Sequence, residues 1–129
     1  MPGAVRTAAV RVGLGLAGAF TTIVALLAHR HSLSVGPVLI PWALVLTVVA
    51  TYAATRAAGV LGGAGGAIAY GVGWTLMLLL TYRPRAEGDS LVAGDVRGYG
   101  LLAGGLGAVG LAIVQAVSRS SRQSPNLAE

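Results

Sequence analysis

The sequence predicts an all-α, polytopic membrane protein with four transmembrane helices in two hairpins joined by short loops. One observation is composition: 55% of the 129 residues are hydrophobic and only 10% are charged, whereas a soluble domain carries about 25% charged residues. The other is a stretch of fifty residues, 33–82, whose one charged residue is Arg56. As one helix it would be about 75 Å long, against a hydrocarbon core of about 30 Å, so it must fold back.

Charged residues mark where the apolar segments end and so divide the chain into helices. Arg11 precedes the first segment, and no small-x-small cleavage site follows it, which predicts an uncleaved anchor rather than a signal peptide. Arg56 marks the expected turn within the long stretch, at residues 55–59. Arg97 and Arg119 bound the last segment. The helices of the predicted four-helix transmembrane domain, 1–117, span about 12–28, 38–55, 60–82 and 99–117.

The arginines also predict the orientation and the cellular location. An even number of crossings places both termini on one side, which then carries five arginines against four on the other side. Cytoplasmic loops are enriched in Lys and Arg, so both termini are predicted to lie in the cytoplasm and the protein in the plasma (cytoplasmic) membrane. The final residues, 118–129, are polar and predict a disordered tail.

Composition limits the classes of function. The net charge is +5, but the cationic residues are scattered, without the basic run and interleaved aromatics that would follow a phosphate backbone, which argues against nucleic-acid binding. The chain has no cysteine, which excludes disulfides, thiolate metal sites and cysteine nucleophiles. Because no nucleophile–base pair can be recognised, we predict no enzyme activity, no catalytic residue and no cofactor.

Glycine recurs at four-residue spacing in the last two predicted helices. Small residues at this spacing form a flat face where two helix backbones approach closely, and such faces associate in lipid. The face packs inside the four-helix bundle, docks another membrane protein, or is a chance result of so glycine-rich a chain. The predicted helix-packing residues are Gly59, Gly62, Gly63, Gly66, Gly100 and Gly104.

Polar residues in the second predicted helix allow two interpretations each. Thr47, Thr51 and Thr55 recur every fourth residue and therefore share one helix face. Their hydroxyls either line a polar path or, as is more common, bond back to a carbonyl one turn earlier. Arg56 is either a buried functional charge or, as its place at the predicted turn favours, a residue that extends to the headgroups.

Two histidines raise the question of a metal site. His29 and His31 could join Glu87, Asp89 or Asp95, because the first and third loops are predicted on one side. Paired histidines at a helix end are far more often interfacial, so no metal site is predicted.

The third loop concentrates the charge of the chain within residues 83–97. It is either a self-satisfied turn or a surface that a partner recognises. Exposed ion pairs contribute only about 0–1 kcal/mol each, too little to explain such a cluster as a stabilising device. We therefore predict partner-binding residues at Arg83, Arg85, Glu87, Asp89, Asp95 and Arg97.

The second half of the chain carries a pattern that runs through Gly73-Trp74, Arg83-Pro84, Glu87-Gly88-Asp89, Gly98-Tyr99 and Gly104-Gly105. This pattern resembles the GW…RPEGD…G-S-Y…GG signature of a family of small actinobacterial integral membrane proteins. The loop here, RPRAEGD, is two residues longer than RPEGD. The resemblance implies four helices and an actinobacterial source, and it implies no activity because the family has none established.

These features together predict a non-enzymatic accessory subunit that packs against a larger membrane complex of the cell envelope. The expected partners are the lipid bilayer and another integral membrane protein or a second copy of the chain. The alternative is a small oligomeric transporter or channel. Coupled transporters usually place Asp, Glu, Lys or His within the membrane, and the four predicted helices contain none of these.

Overall fold

A computed structural model describes residues 2–82 and 95–123 of the chain. All three helices in this part of the chain are long and apolar enough to cross a membrane, which is consistent with a membrane protein. The two strands form a short antiparallel hairpin between the first and second helices. The elements in chain order are α1 (Pro2–Ala28), β1 (Leu33–Val35), β2 (Val38–Ile40), α2 (Trp42–Thr81) and α3 (Val96–Gln123).

The prediction of four helices is wrong, because the described chain has three. The predicted turn at 55–59 lies inside the helical part of α2 before Gly63, and α2 continues across a kink to form one element of 40 residues. Its backbone leaves the helical region only at Gly63, with φ 63° and ψ −162°. This conformation is open to glycine and strained for any residue with a Cβ, so the break falls at a glycine rather than beside the charge of Arg56.

The two limbs of α2, before and after Gly63, lie against each other. A Cβ on Gly59 would lie 3.6 Å from the Cβ of Ala67, and one on Gly66 would lie 2.5 Å from the carbonyl oxygen of Ala58. Eight residues of straight helix would separate each of these pairs by about 12 Å along the axis. Therefore α2 bends back on itself at Gly63.

The helix α2 forms the centre of the molecule, because α1 and α3 each pack mainly on it. Gly18 of α1 meets Tyr70 and Trp74 of α2, and Gly105 of α3 meets the indole ring of Trp74 from the other side. Trp74 is completely buried and belongs to a core cluster that also contains Leu78, Leu101 and Val109. The absence of side chains on these glycines therefore leaves room for the indole of Trp74, the largest fully buried side chain, between the helices.

The bundle has two distinct ends. At one end Leu44 of α2 contacts Gly100 of α3, and Nη1 of Arg97 donates a hydrogen bond of 3.3 Å to the carbonyl oxygen of Arg30. This end, which also carries the strands, is called the hairpin end. At the other end the break at Gly63 lies near the start of α1 and the end of α3, because Gly62 approaches Val10 and Gly59 approaches Ala116. This is called the break end.

Several helix boundaries differ from the predicted ones, among them the start of α3, which lies at Val96 instead of 99. Residues 38–40, predicted to begin the second helix, form β2, and α2 begins at Trp42 after Pro41. The connection Gly36-Pro37 suits a two-residue hairpin turn with glycine first, and Gly36 has φ 60°. The helix α1 begins at Pro2 instead of 12.

At the other end of the chain, α3 continues to Gln123, so residues 118–123 of the predicted disordered tail are helical. Side chains there bond back to the preceding turn: Arg119 Nε to the Gln115 carbonyl and Ser121 Oγ to the Val117 carbonyl, both at 3.2 Å. The polar composition of this segment favours disorder, and composition alone does not reveal hydrogen bonds from side chains to the preceding turn. Residues 124–129 lie outside the described part of the chain.

Candidate functional site

The glycines predicted to pack helices lie mostly against other parts of the same chain. The atoms nearest to the position of a Cβ on each glycine show what that glycine packs against. Gly63 has none within 4 Å and instead forms the break in α2. The other five meet neighbours inside the bundle: Gly59 meets Ala116 and Ala67, Gly62 and Gly66 meet Leu14, Gly100 meets Leu44, and Gly104 meets Val48.

The closest helix contact was not among those predicted. Gly18 faces the carbonyl oxygen of Tyr70 and the amide nitrogen of Trp74, and Gly73 faces the carbonyl oxygen of Gly15. The signal in the sequence is the spacing of Gly15 and Gly18 within α1, which places both near one face. Only the structure shows that this face meets Gly73 across the interface.

Of the predicted partner-binding residues, Arg83, Arg85, Glu87 and Asp89 lie outside the described residues. Asp95 caps α3, since its Oδ1 accepts a hydrogen bond of 2.8 Å from the backbone N–H of Gly98. That hydrogen bond is the main reason why the pKa of Asp95 is lower than usual, and the positive charges of Arg30 and Arg97 lower it further. Asp95 and Arg97 thus organise the hairpin end.

Replacing Asp95 with Ala should loosen the first turn of α3, because the N–H of Gly98 loses its acceptor. Asn, which retains an acceptor oxygen, should preserve the cap and is the control. Amide hydrogen exchange at Gly98 measures the effect. Folding lowers the pKa of Asp95. The stability that the ionised Asp95 gives to the folded protein is therefore fully present above the ordinary aspartate pKa, and it is lost as the pH falls through the pKa of the folded state. Equal exchange in wild type and the Ala variant would show that the cap is unimportant.

His29 is buried whereas His31 is exposed. His29 is 1% exposed, its Nδ1 lies 2.9 Å from the carbonyl oxygen of Leu26, and its Nε2 has no partner in residues 2–82 and 95–123. No three His, Cys, Asp or Glu residues within those ranges are close enough to hold a metal ion. Glu87 and Asp89, which the metal hypothesis also used, lie outside them.

Arg56 is anchored within the bundle. Its Nη1 lies 3.3 Å from the hydroxyl of Tyr52 and 3.2 Å from Oε1 of Gln115, and the Tyr52 hydroxyl donates to the same oxygen at 2.7 Å. The guanidinium carbon is 5.9 Å from the centre of the Tyr52 ring. A cavity of about 340 Å³ at this place is lined by Arg56, Val114, Gln115, Ser118, Arg119 and Arg122. The break end therefore carries a cationic recess.

A second cavity, of about 400 Å³, opens between α1 and α2. Its wall is mostly aliphatic, and it carries no charged side chain. Hydroxyl groups of threonine and tyrosine supply the only side-chain polarity in the wall. The lining residues are Phe20, Thr21, Val24, Ala25, Ala28, Leu46, Thr47, Ala50, Thr51, Ala54 and Tyr70.

The threonine stripe divides into two kinds of residue. Thr55 behaves in the common way, since its Oγ1 donates to the carbonyl oxygen of Thr51 at 2.8 Å. Thr47 and Thr51 are only 8% and 4% exposed, line the cavity, and make no side-chain hydrogen bond among the described residues. Two hydroxyls on the cavity wall are thus left available to a ligand that enters the cavity.

The β-hairpin exposes a continuous apolar face. Because Leu33 pairs with Ile40 and Val35 pairs with Val38, these four side chains project to one side of the two-stranded sheet. All are 43–58% exposed. The opposite side carries Ser34 and Leu39. We call the four-residue surface the hairpin face; sequence reasoning missed it because it assigned residues 38–40 to a helix.

Comparison with known proteins yields no assignment of family or function. No family model matches the chain, and neither a curated protein nor a solved structure shows detectable similarity to it. The resemblance of the second half to a small actinobacterial family therefore stays a prediction. Over residues 2–82 and 95–123 the protein is predominantly helical, with three helices that are each long and apolar enough to cross a membrane and a β-hairpin at one end.

Proposed function

We propose that this protein is a non-enzymatic accessory subunit that packs against a larger integral membrane protein and docks through the hairpin face. The observation that carries this proposal is the exposure of Leu33, Val35, Val38 and Ile40 on one side of a hairpin that lies outside the helical core. Extended apolar patches on a protein surface mark places where a partner or a membrane binds.

The strands themselves favour a protein partner. A two-stranded hairpin is at best marginally stable in water by itself, and each strand here has three residues. Its outer edges have unpaired N–H and C=O groups, which a strand of a partner can pair with while its side chains cover the hairpin face. Docking would therefore satisfy the backbone and bury apolar area together.

The position of the hairpin favours a partner that is itself in the membrane. The strands lie between the end of α1 and the start of α2, and Trp42 at that start is 47% exposed, as suits an aromatic residue at the headgroup level. A partner must reach this level to cover the hairpin face. We place the protein in the plasma membrane, with the arginine-rich break end and both termini on the cytoplasmic side.

The test is co-purification in mild detergent with a matched pair of variants. Replacing Val35 and Val38 together with Thr keeps shape and strand preference but puts two hydroxyls on the hairpin face. Binding of an integral membrane partner, identified by mass spectrometry, should weaken at least about tenfold, since each lost methyl contributes about 0.8 kcal/mol. Leu39→Thr, on the opposite side, is the control and should leave binding unchanged.

Two results would contradict this proposal. One is a stoichiometric partner that stays bound to the Val35→Thr/Val38→Thr variant at the wild-type level. The other is equal loss of the partner in the Leu39→Thr control, which would mean that the variants disturb the hairpin rather than a docking face. Circular dichroism of each variant must show the wild-type helix content for the comparison to be valid.

A further inference from the structure

We propose that the cavity between α1 and α2 is a lipid site that holds an ester-linked acyl chain, with the hydroxyls of Thr47 and Thr51 donating hydrogen bonds to the ester carbonyl. The site is separate from the hairpin face and goes beyond the docking function. Its two recognition elements are an aliphatic wall for the chain and two free hydroxyls for the ester.

The two hydroxyls belong to the only buried threonines, among the described residues, that make no side-chain hydrogen bond; Thr75 also makes none, but it is only partly buried and does not line this cavity. Four other threonines, all in helices, donate to the carbonyl oxygen four residues earlier: Thr7, Thr22, Thr55 and Thr81. Thr47 and Thr51 could do the same, because α2 already includes Ala43, four residues before Thr47. They do not, although both are more than nine-tenths buried. Their oxygens are not among the fully buried polar atoms that lack a partner, so both hydroxyls reach the cavity, where a ligand oxygen can accept their hydrogen bonds.

The other hydroxyls in the wall are already paired. Thr21 Oγ1 donates to the carbonyl oxygen of Gly18 at 2.9 Å. It lies 2.6 Å from the Tyr70 hydroxyl, which therefore donates its own proton to Thr21. Neither group has a hydrogen left for a ligand. The donors available in the cavity are accordingly Thr47 and Thr51, which are one turn apart on the same face of α2.

The depth of the cavity matches the chemistry of a lipid. Thr47 is five residues from Trp42, or about 7 Å along the helix, and Ala54 is about 18 Å from it. If Trp42 lies at the headgroup level, the threonines lie just below it, where an ester group is found, and the rest of the cavity extends along the acyl chain. The lining includes the small residues Ala25, Ala28, Ala50 and Ala54, which leave room for a chain.

The size and the charge of the cavity narrow the class of ligand. A volume of about 400 Å³ falls within the range of about 300–1,000 Å³ that is typical of ligand pockets. The absence of any charged side chain from the wall makes it unsuited to a phosphate or to an ionised fatty acid, because a buried charge needs a partner. An uncharged ester with an aliphatic chain fits both the volume of the cavity and its uncharged wall.

The experiment compares two phosphatidylcholines that have the same chain length, one ester-linked and one ether-linked. Only the ester lipid has a carbonyl acceptor, whereas headgroup charge and chain are identical. The full-length protein is loaded with an equimolar mixture, and the lipids retained after delipidation in detergent are counted by native mass spectrometry. Wild type should retain the ester lipid about fivefold more than the ether lipid, as expected for one hydrogen bond.

Three variants assign that preference to the cavity. Thr47→Val/Thr51→Val keeps the shape, so it should still retain lipid but without preference for the ester. Ala50→Leu fills the cavity and should lose most of the retained lipid of both kinds. Thr55→Val, whose hydroxyl bonds to the backbone outside the cavity, is the control and should behave like wild type.

Each opposite result overturns the proposal. Equal retention of ester and ether lipid by wild type would show that the hydroxyls recognise no carbonyl. An ester preference that survives in Thr47→Val/Thr51→Val would place the recognition elsewhere. A wild-type protein that retains no lipid and is dimeric would show that a second copy of the chain covers the cavity instead.

Discussion

Replacing Gly18 with Ala should separate α1 from α2 and destabilise the protein by about 1–3 kcal/mol, the usual cost of overpacking a well-packed core. A Cβ at this position would overlap the carbonyl oxygen of Tyr70 and lie 2.9 Å from the amide nitrogen of Trp74. Both are backbone atoms, which cannot move aside as a side chain can. The shift would also stretch the 3.0 Å hydrogen bond from Thr22 Oγ1 to the carbonyl of Trp74. Gly73→Ala, which faces the Gly15 carbonyl, should have the same effect.

Gly13→Ala is the matched control for this prediction, since Gly13 lies in the same helix and has no atom within 4 Å of a Cβ position. There the substitution should be neutral or stabilising, because alanine is favoured over glycine in a helix by up to about 1 kcal/mol. Unfolding of each variant in mixed micelles with increasing fractions of sodium dodecyl sulfate gives the comparison. Similar midpoints for Gly18→Ala and Gly13→Ala would mean that the close approach of α1 and α2 does not occur.

Replacing Gly63 with Ala should destabilise the bend in α2 by about 1–3 kcal/mol, because φ 63° with ψ −162° is a conformation in which a Cβ is strained. No atom lies within 4 Å of that Cβ position, so the cost comes from the backbone and not from packing. Gly107→Ala, equally open but within a regular helix, should lack this cost and is the control.

An engineered disulfide can test whether the two limbs of α2 meet, since the chain has no cysteine of its own. A Cβ at Gly59 would be 3.6 Å from that of Ala67, within the range of about 3.5–4.5 Å found in disulfides. Gly59→Cys/Ala67→Cys should therefore cross-link readily under mild oxidation in the membrane. Adding Gly63→Ala should slow that cross-linking, whereas adding Gly107→Ala should not. A pair that never cross-links would show that the limbs of α2 do not meet.

The error in the number of helices has an identifiable origin. Sequence reasoning placed a turn at residues 55–59 because Arg56 is the one charge in a long apolar stretch. In the folded chain this charge is accommodated by Tyr52 from one turn earlier and by Gln115 from α3, so it does not require the helix to end. The residue that breaks the helix is instead the glycine whose backbone adopts positive φ, Gly63, one of seven glycines in α2. Composition alone cannot single it out.

The candidate sites differ in how far the sequence could predict them. The threonine stripe followed from four-residue spacing, but the choice between back-bonding and an open hydroxyl depends on rotamers that neighbouring helices impose. That choice separates Thr55 from Thr47 and Thr51. The hairpin face was missed altogether, because Val, Leu and Ile next to a predicted transmembrane helix have the same composition as the helix itself.

The sequence by itself determined the helical character of this protein and the presence of helices that are long and apolar enough to cross a membrane, because long apolar segments with few charges satisfy their backbone within helices. It also determined where α1 ends, at Ala28 before His29 and Arg30. Only the tertiary structure decided which glycines carry contacts, where α2 bends and which hydroxyls stay free. Each of these depends on atoms brought together from segments distant along the chain, and no local pattern encodes that approach.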